Sequence, residues 1–108
     1  MSRALDKLFP AARRKRIEEA RASLTPRQVE VHSVTAIPSA GSPDYFRVAF
    51  FPTDPPGPYS LQFLEVATGQ DAILGKLTPG TAARYYESRD EARTRVLETV
   101  DGELVLPR

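Results

Sequence analysis

Residues 88–102 read SRDEARTRVLETVDG. Ser88 stands three positions before Glu91, the spacing of a capping box, in which a hydroxyl and a carboxylate each satisfy a free backbone N–H at a helix start. Ala92, Val96 and Val100 then recur at helical spacing, Arg95 and Glu98 face outward, and Gly102 stands where such a helix stops. The pattern predicts a C-terminal helix. With that helix placed, the ambiguous segment from Ala82 to Glu87 reads as the strand leading into it, and Glu103 to Leu106 as a closing strand.

Upstream the apolar period is two. In the segment from Tyr45 to Phe51, Phe46, Val48 and Phe50 share one face, while Tyr45, Ala49 and Phe51 lie on the other with Arg47. A strand apolar on both faces is covered on both. Val29 and Val31 alternate in one phase and Val34 and Ala36 in the other, which predicts a strand with a bulge near His32-Ser33. Tyr59, Leu61 and Phe63 resume the alternation in a strand ending near Val66, paired with residues 45–51 as an antiparallel hairpin. Turn residues at 38–43, 53–58, 68–71 and 78–80 separate these segments, with a short strand expected through Ile73 and Leu77.

At the N-terminus Ser2 can cap a short turn through Leu5, Leu8 and Phe9, and Pro10 suits the first position of a second helix. In that helix Arg13, Ile17, Ala20 and Leu24 share one thin face. The expected fold is therefore α+β. It has an N-terminal helical arm of two helices kinked at Pro10, a mostly antiparallel sheet of four to six strands, and one C-terminal helix packed on the sheet. All of it belongs to a single domain of residues 1–108, divided into a basic arm (1–24) and an α+β body (28–108).

An apolar fraction of 41% with 27% charged residues is that of a folded domain rather than a disordered chain. The absence of cysteine excludes disulfides, zinc-thiolate sites and thiol nucleophiles, and fits a cytoplasmic protein. No apolar run approaches a membrane span, and the basic N-terminus lacks the apolar core of a secretory signal. Arginine outnumbers lysine and asparagine is absent, which points to a GC-rich or heat-adapted bacterial source.

Charge is distributed unevenly. Residues 1–27 hold eight Lys/Arg against three Asp/Glu, whereas residues 28–108 hold seven against eleven, so the formal +1 conceals a basic arm on a mildly acidic body. The run Arg13-Arg14-Lys15-Arg16, with Lys7 and Arg21 at seven-residue spacing from Arg14, could neutralise phosphates and release their counterions. Arg84-Tyr85-Tyr86 sets aromatic rings beside a guanidinium, the combination that single-stranded nucleic acid uses for stacking and charge. The candidate nucleic-acid residues are thus Lys7, Arg13, Arg14, Lys15, Arg16, Arg21, Arg84 and Tyr86. Each also has an ordinary reading, as a solvated helix face with Glu18 and Glu19 or as sheet packing.

Catalytic signals are missing. His32 is the only histidine and has no orienting carboxylate or further ligands at a recognisable spacing. Asp44, Asp54 and Asp71 lie in separate turns without a calcium-loop pattern. Neither a phosphate-cradling glycine loop nor a nucleophile elbow is present. The expectation is a non-catalytic protein with no metal and no small-molecule cofactor.

Leu24-Thr25-Pro26-Arg27-Gln28 resembles the opening of the helix-turn-helix region in LuxR-type regulators, but Pro38, Gly41 and Pro43 forbid the recognition helix that must follow. Strands followed by a helix opening Ser88, Asp90-Glu91-Ala92 are similar in outline to HicB-type antitoxins and to the arm-binding domains of tyrosine integrases. The favoured expectation is an interaction module for a protein partner or a second copy of the chain, using Tyr45, Arg47 and Phe51 on the two-faced strand. Its rival is a nucleic-acid-binding accessory using the basic helix.

Overall fold

The computed structural model describes residues 10–39, 42–54, 60–91 and 93–108. The expected helix through Leu5 and Leu8, with Lys7, the kink at Pro10, the turn at 55–58 and Tyr59 lie outside them. So do the side chains of Arg13, Arg16, Ala20, Asp44 and Asp54. In chain order the elements are α1 (Pro10–Ser23), β1 (Arg27–Ser39), β2 (Ser42–Asp54), β3 (Gln62–Ala67), α2 (Asp71–Leu74), β4 (Ala82–Glu87), β5 (Arg95–Glu98) and β6 (Leu104–Val105).

The six strands form one sheet in the order β3-β2-β1-β4-β5-β6, with every neighbouring pair antiparallel. The sheet curls until its two edges meet. Val66 of β3 bridges Pro107 just beyond β6, the Ala67 amide donates to the Leu106 carbonyl, and the Arg108 amide donates to the Glu65 carbonyl. The result is a small barrel whose closure rests on this one bridge, with residues 62–64 of β3 not bridged across the seam.

A bulge in β1 lets the strand keep apolar side chains inward on both sides of it, from Val29 to Val34. Val31 pairs with Phe50 and Ser33 with Ala49, so His32 is the extra residue, and the inward phase passes from Val29 and Val31 to Val34. Those valines meet Val48, Phe50, Leu64, Val66, Ala83, Tyr85, Leu97 and Val105 inside the barrel. Leu74 of α2 and Leu77 just after it are buried in the same cluster. The Phe50 and Tyr85 rings pack tilted with centroids 4.8 Å apart.

The α+β expectation is overturned: among the described residues no helix follows Ser88, and the six antiparallel strands form a β-barrel with α1 against its outer wall. Residues 95–98 form β5, paired with both β4 and β6. The helical reading of this segment left Leu97 off the apolar stripe, whereas as a strand it buries Leu97 inside the barrel and Val96 beneath α1. β-branched Thr94, Val96 and Thr99 favour the extended form too. The residues of the supposed capping box close a hairpin loop instead. The Ser88 hydroxyl accepts the Thr94 amide and donates to Asp90, whose carboxylate accepts the Arg93 amide.

Two further expectations change. Residues 71–74 are a helical turn rather than a strand, and in β3 it is Leu64 and Val66 that point inward while Phe63 points out. The register sets this phase, because Leu64 stands opposite Val48. With no C-terminal helix, the outline shared with HicB-type antitoxins and integrase arm-binding domains no longer applies.

Candidate functional site

On the outer wall, α1 lies over β5 and β6. Ile17 is buried against Val96 and Leu104, with Leu106 alongside. One turn further along α1, Arg21 pairs with the Glu98 carboxylate, which also accepts from Arg84 Nε at 2.5 Å and from the Tyr86 hydroxyl at 3.0 Å. Arg84 donates in addition to the Thr99 carbonyl. Burial pushes the Glu98 carboxyl up, but hydrogen bonds from Arg84 and Tyr86 and the charges of both guanidinium groups outweigh it, so its pKa falls below the ordinary value. Burial and the Glu98 hydrogen bond raise the Tyr86 hydroxyl in turn. This cluster fastens the helix to the barrel.

Three of the sequence-derived nucleic-acid residues, Arg21, Arg84 and Tyr86, therefore meet at one carboxylate. Arg14 and Lys15 are exposed on α1. Tyr85, between Arg84 and Tyr86, is in the barrel interior. His32 is exposed beside the Ser33 hydroxyl, and among the described residues no three His, Cys, Asp or Glu side chains gather as metal ligands.

A different set of cations converges on the barrel seam. β6 gives β5 only two partners, and among the described residues no backbone pairing joins Gln62, Phe63 or Leu64 to β5. A cleft of about 690 Å³ opens there, lined by Ile17, Phe63, Leu64, Glu65 and Thr94, by Pro107, and by four arginines, Arg47, Arg93, Arg95 and Arg108. Glu65 is the one carboxylate in that lining.

Each has a defined support. Arg95 spans the seam, donating to the Phe63 carbonyl at 2.9 Å and to the Tyr85 hydroxyl at 2.5 Å, with its guanidinium over the Tyr85 ring. It thereby satisfies a carbonyl left without a strand partner. Arg47 and Arg108 flank Glu65 at 3.7 and 3.3 Å, and they also lie over the rings of Phe63 and Tyr45 respectively. Arg93 pairs with Glu87 at 3.3 Å yet keeps 72% of its side chain in solvent. Phe63 stands among them with half of its surface exposed.

No protein-family model, curated protein or solved structure matches this chain.

Of the sequence-derived interface residues, Arg47 lines the cleft, Tyr45 sits beneath Arg108, and Phe51 is half-buried on the wall. Phe63, Glu65, Arg93, Arg95 and Arg108 were not foreseen as a group. The helical reading of 88–102 hid Arg93 and Arg95, and the inverted phase of β3 hid Phe63. The available signal was the presence of two apolar phases in residues 61–66, of which only one can be inside.

Proposed function

We propose that this protein is a non-catalytic, cytoplasmic nucleic-acid-binding module that holds the phosphate backbone in the arginine cleft at the barrel seam. The observation that carries the reading is that Arg47, Arg93, Arg95 and Arg108 line one cleft together with the half-exposed Phe63 ring and a single carboxylate, Glu65. Guanidinium groups match phosphate oxygens in a planar fork, and a concave cationic surface focuses the attraction. Arg14 and Lys15 are exposed on the helix whose Ile17 lines the cleft, as are Glu18 and Glu19.

A protein interface on the Tyr45, Arg47 and Phe51 face draws less support. Its motive was apolar surface on both sides of β2, and part of that surface is covered: Ala49 is buried, and the Tyr45 ring carries the Arg108 guanidinium.

The test is a fluorescence-anisotropy titration of a labelled oligonucleotide at several salt concentrations. Neutralising three or four phosphates on a single strand gives an affinity that falls about 20- to 50-fold between roughly 50 and 200 mM salt. Replacing Arg47 and Arg108 together by alanine should weaken binding and flatten the salt slope by about 0.7 unit per residue. No binding at low salt, or a salt-independent affinity, overturns the proposal.

A further inference from the structure

The nucleic acid bound at this cleft is single-stranded, we infer, with one unpaired base lying on the Phe63 ring and its flanking phosphates held by Arg47, Arg93 and Arg108. The inference rests on the nucleic-acid reading above and adds the state of the strand and the residue that selects it.

Phe63 and Val100 are the large apolar side chains that the described residues leave exposed, and Val100 belongs to the β5–β6 turn, outside the cleft lining. Phe63 is different in kind. It lies on the cleft wall, with Arg47 5.8 Å from its ring centroid and Arg95 hydrogen-bonded to its own carbonyl. The ring is thus held from its backbone and kept half in water among cations, the arrangement in which a base can stack while phosphates are neutralised on either side. A base within a duplex has both faces occupied by its neighbours and reaches such a ring only after being flipped out. A single strand offers a face at no such cost.

The arginines divide into two roles. Arg95 gives its Nε to the Tyr85 hydroxyl and its Nη2 to the Phe63 carbonyl, so it is a positioning residue. Arg93 is held at φ 42°, a left-handed backbone that a residue with a Cβ seldom adopts, and its side chain remains largely in solvent at the cleft edge. Strain of that kind persists where the surrounding structure enforces it, here through the Asp90 carboxylate and carbonyl, which both accept the Arg93 amide. Glu65 stands between Arg47 and Arg108 as the internal anion that an incoming phosphate displaces.

The experiment compares wild type, Phe63→Ala and Phe63→Trp on an oligothymidylate of about 15 nucleotides and on a duplex of the same length, with polyglutamate as competitor. Phe63→Ala should weaken single-strand binding about 5- to 150-fold, Phe63→Trp should retain it, and duplex binding should be weaker and unmoved by either change. Wild-type affinity in Phe63→Ala, or preference for the duplex, overturns the stacking inference while the nucleic-acid reading stands. Equal displacement by polyglutamate overturns both in favour of an acidic protein partner, and no oligonucleotide binding by the wild type overturns both outright. Because Phe63 is half-exposed, the alanine variant should keep its fold, as circular dichroism will verify.

Discussion

Arg93 concentrates at one residue a conflict between stability and binding. Glycine would adopt φ 42° without a Cβ clash, so Arg93→Gly should stabilise the fold by about 1 kcal/mol in urea unfolding. The same change removes a cation from the cleft, so the more stable variant should be the weaker binder. Loss of stability in Arg93→Gly would show that the Glu87 pair outweighs the backbone strain. Nothing local in the sequence marks Arg93 for this role, because its conformation follows from the way Ser88, Asp90 and Thr94 close the loop. The bulge at His32 was legible, since a switch of apolar phase from Val31 to Val34 has no other simple solution in a strand that buries both. Phe63 was not, because either phase of β3 satisfies the alternation and only pairing with β2 decides between them.

Between elements, the same competition explains why local signals misread residues 88–102. Ser88 and Glu91 fulfil a helix-start pattern, but a capping box contributes about 1 kcal/mol, whereas burying Leu97 and Val96 on two faces is worth several. Leu97→Ala should accordingly cost about 2–5 kcal/mol in chemical unfolding, a loss that a helix exposing Leu97 would not show. The attachment of α1 depends on fewer groups. Ile17→Ala should cost about 2 kcal/mol and lower the helical circular dichroism signal while leaving the barrel folded. Glu98 makes that attachment sensitive to pH. With its pKa below the ordinary 4.5, the folded protein binds fewer protons at Glu98 than the unfolded chain does. The stabilisation is complete above that ordinary value and is lost as pH falls through the depressed one. Melting temperature measured between about pH 6 and pH 3 should fall more steeply in wild type than in Glu98→Gln, which starts about 1–2 kcal/mol less stable because an amide replaces the paired charge. Parallel curves would assign the acid sensitivity to other carboxylates.

For the molecule as a whole, closing the barrel is what creates the cleft, since the chain segment after β6 both seals the seam and delivers Arg108 to it. That segment is short of strand partners: it has one bridge to β3, Val66 to Pro107, made by the hydrogen bonds that the Ala67 and Arg108 amides donate. Gln70 supplies what a longer strand would have supplied. Its side-chain nitrogen donates to the Leu106 carbonyl at 2.9 Å and its oxygen accepts the Leu106 amide at 2.9 Å, imitating a backbone pair from the turn between β3 and α2. Gln70→Ala leaves a partly buried amide and carbonyl without those partners, which should cost about 1–3 kcal/mol. Because the loss is local to the closure, amide exchange should accelerate first at Ala67, Leu106 and Arg108 while the Phe50 and Leu97 strands stay protected. Oligonucleotide affinity should fall in the same variant although Gln70 does not line the cleft, because Arg108 and the Glu65 backbone it pairs with lose their fixed separation from Arg47. If exchange accelerates at the seam but binding is unchanged, Arg108 contributes nothing that depends on closure, and the cleft reduces to Arg47, Arg93 and Phe63.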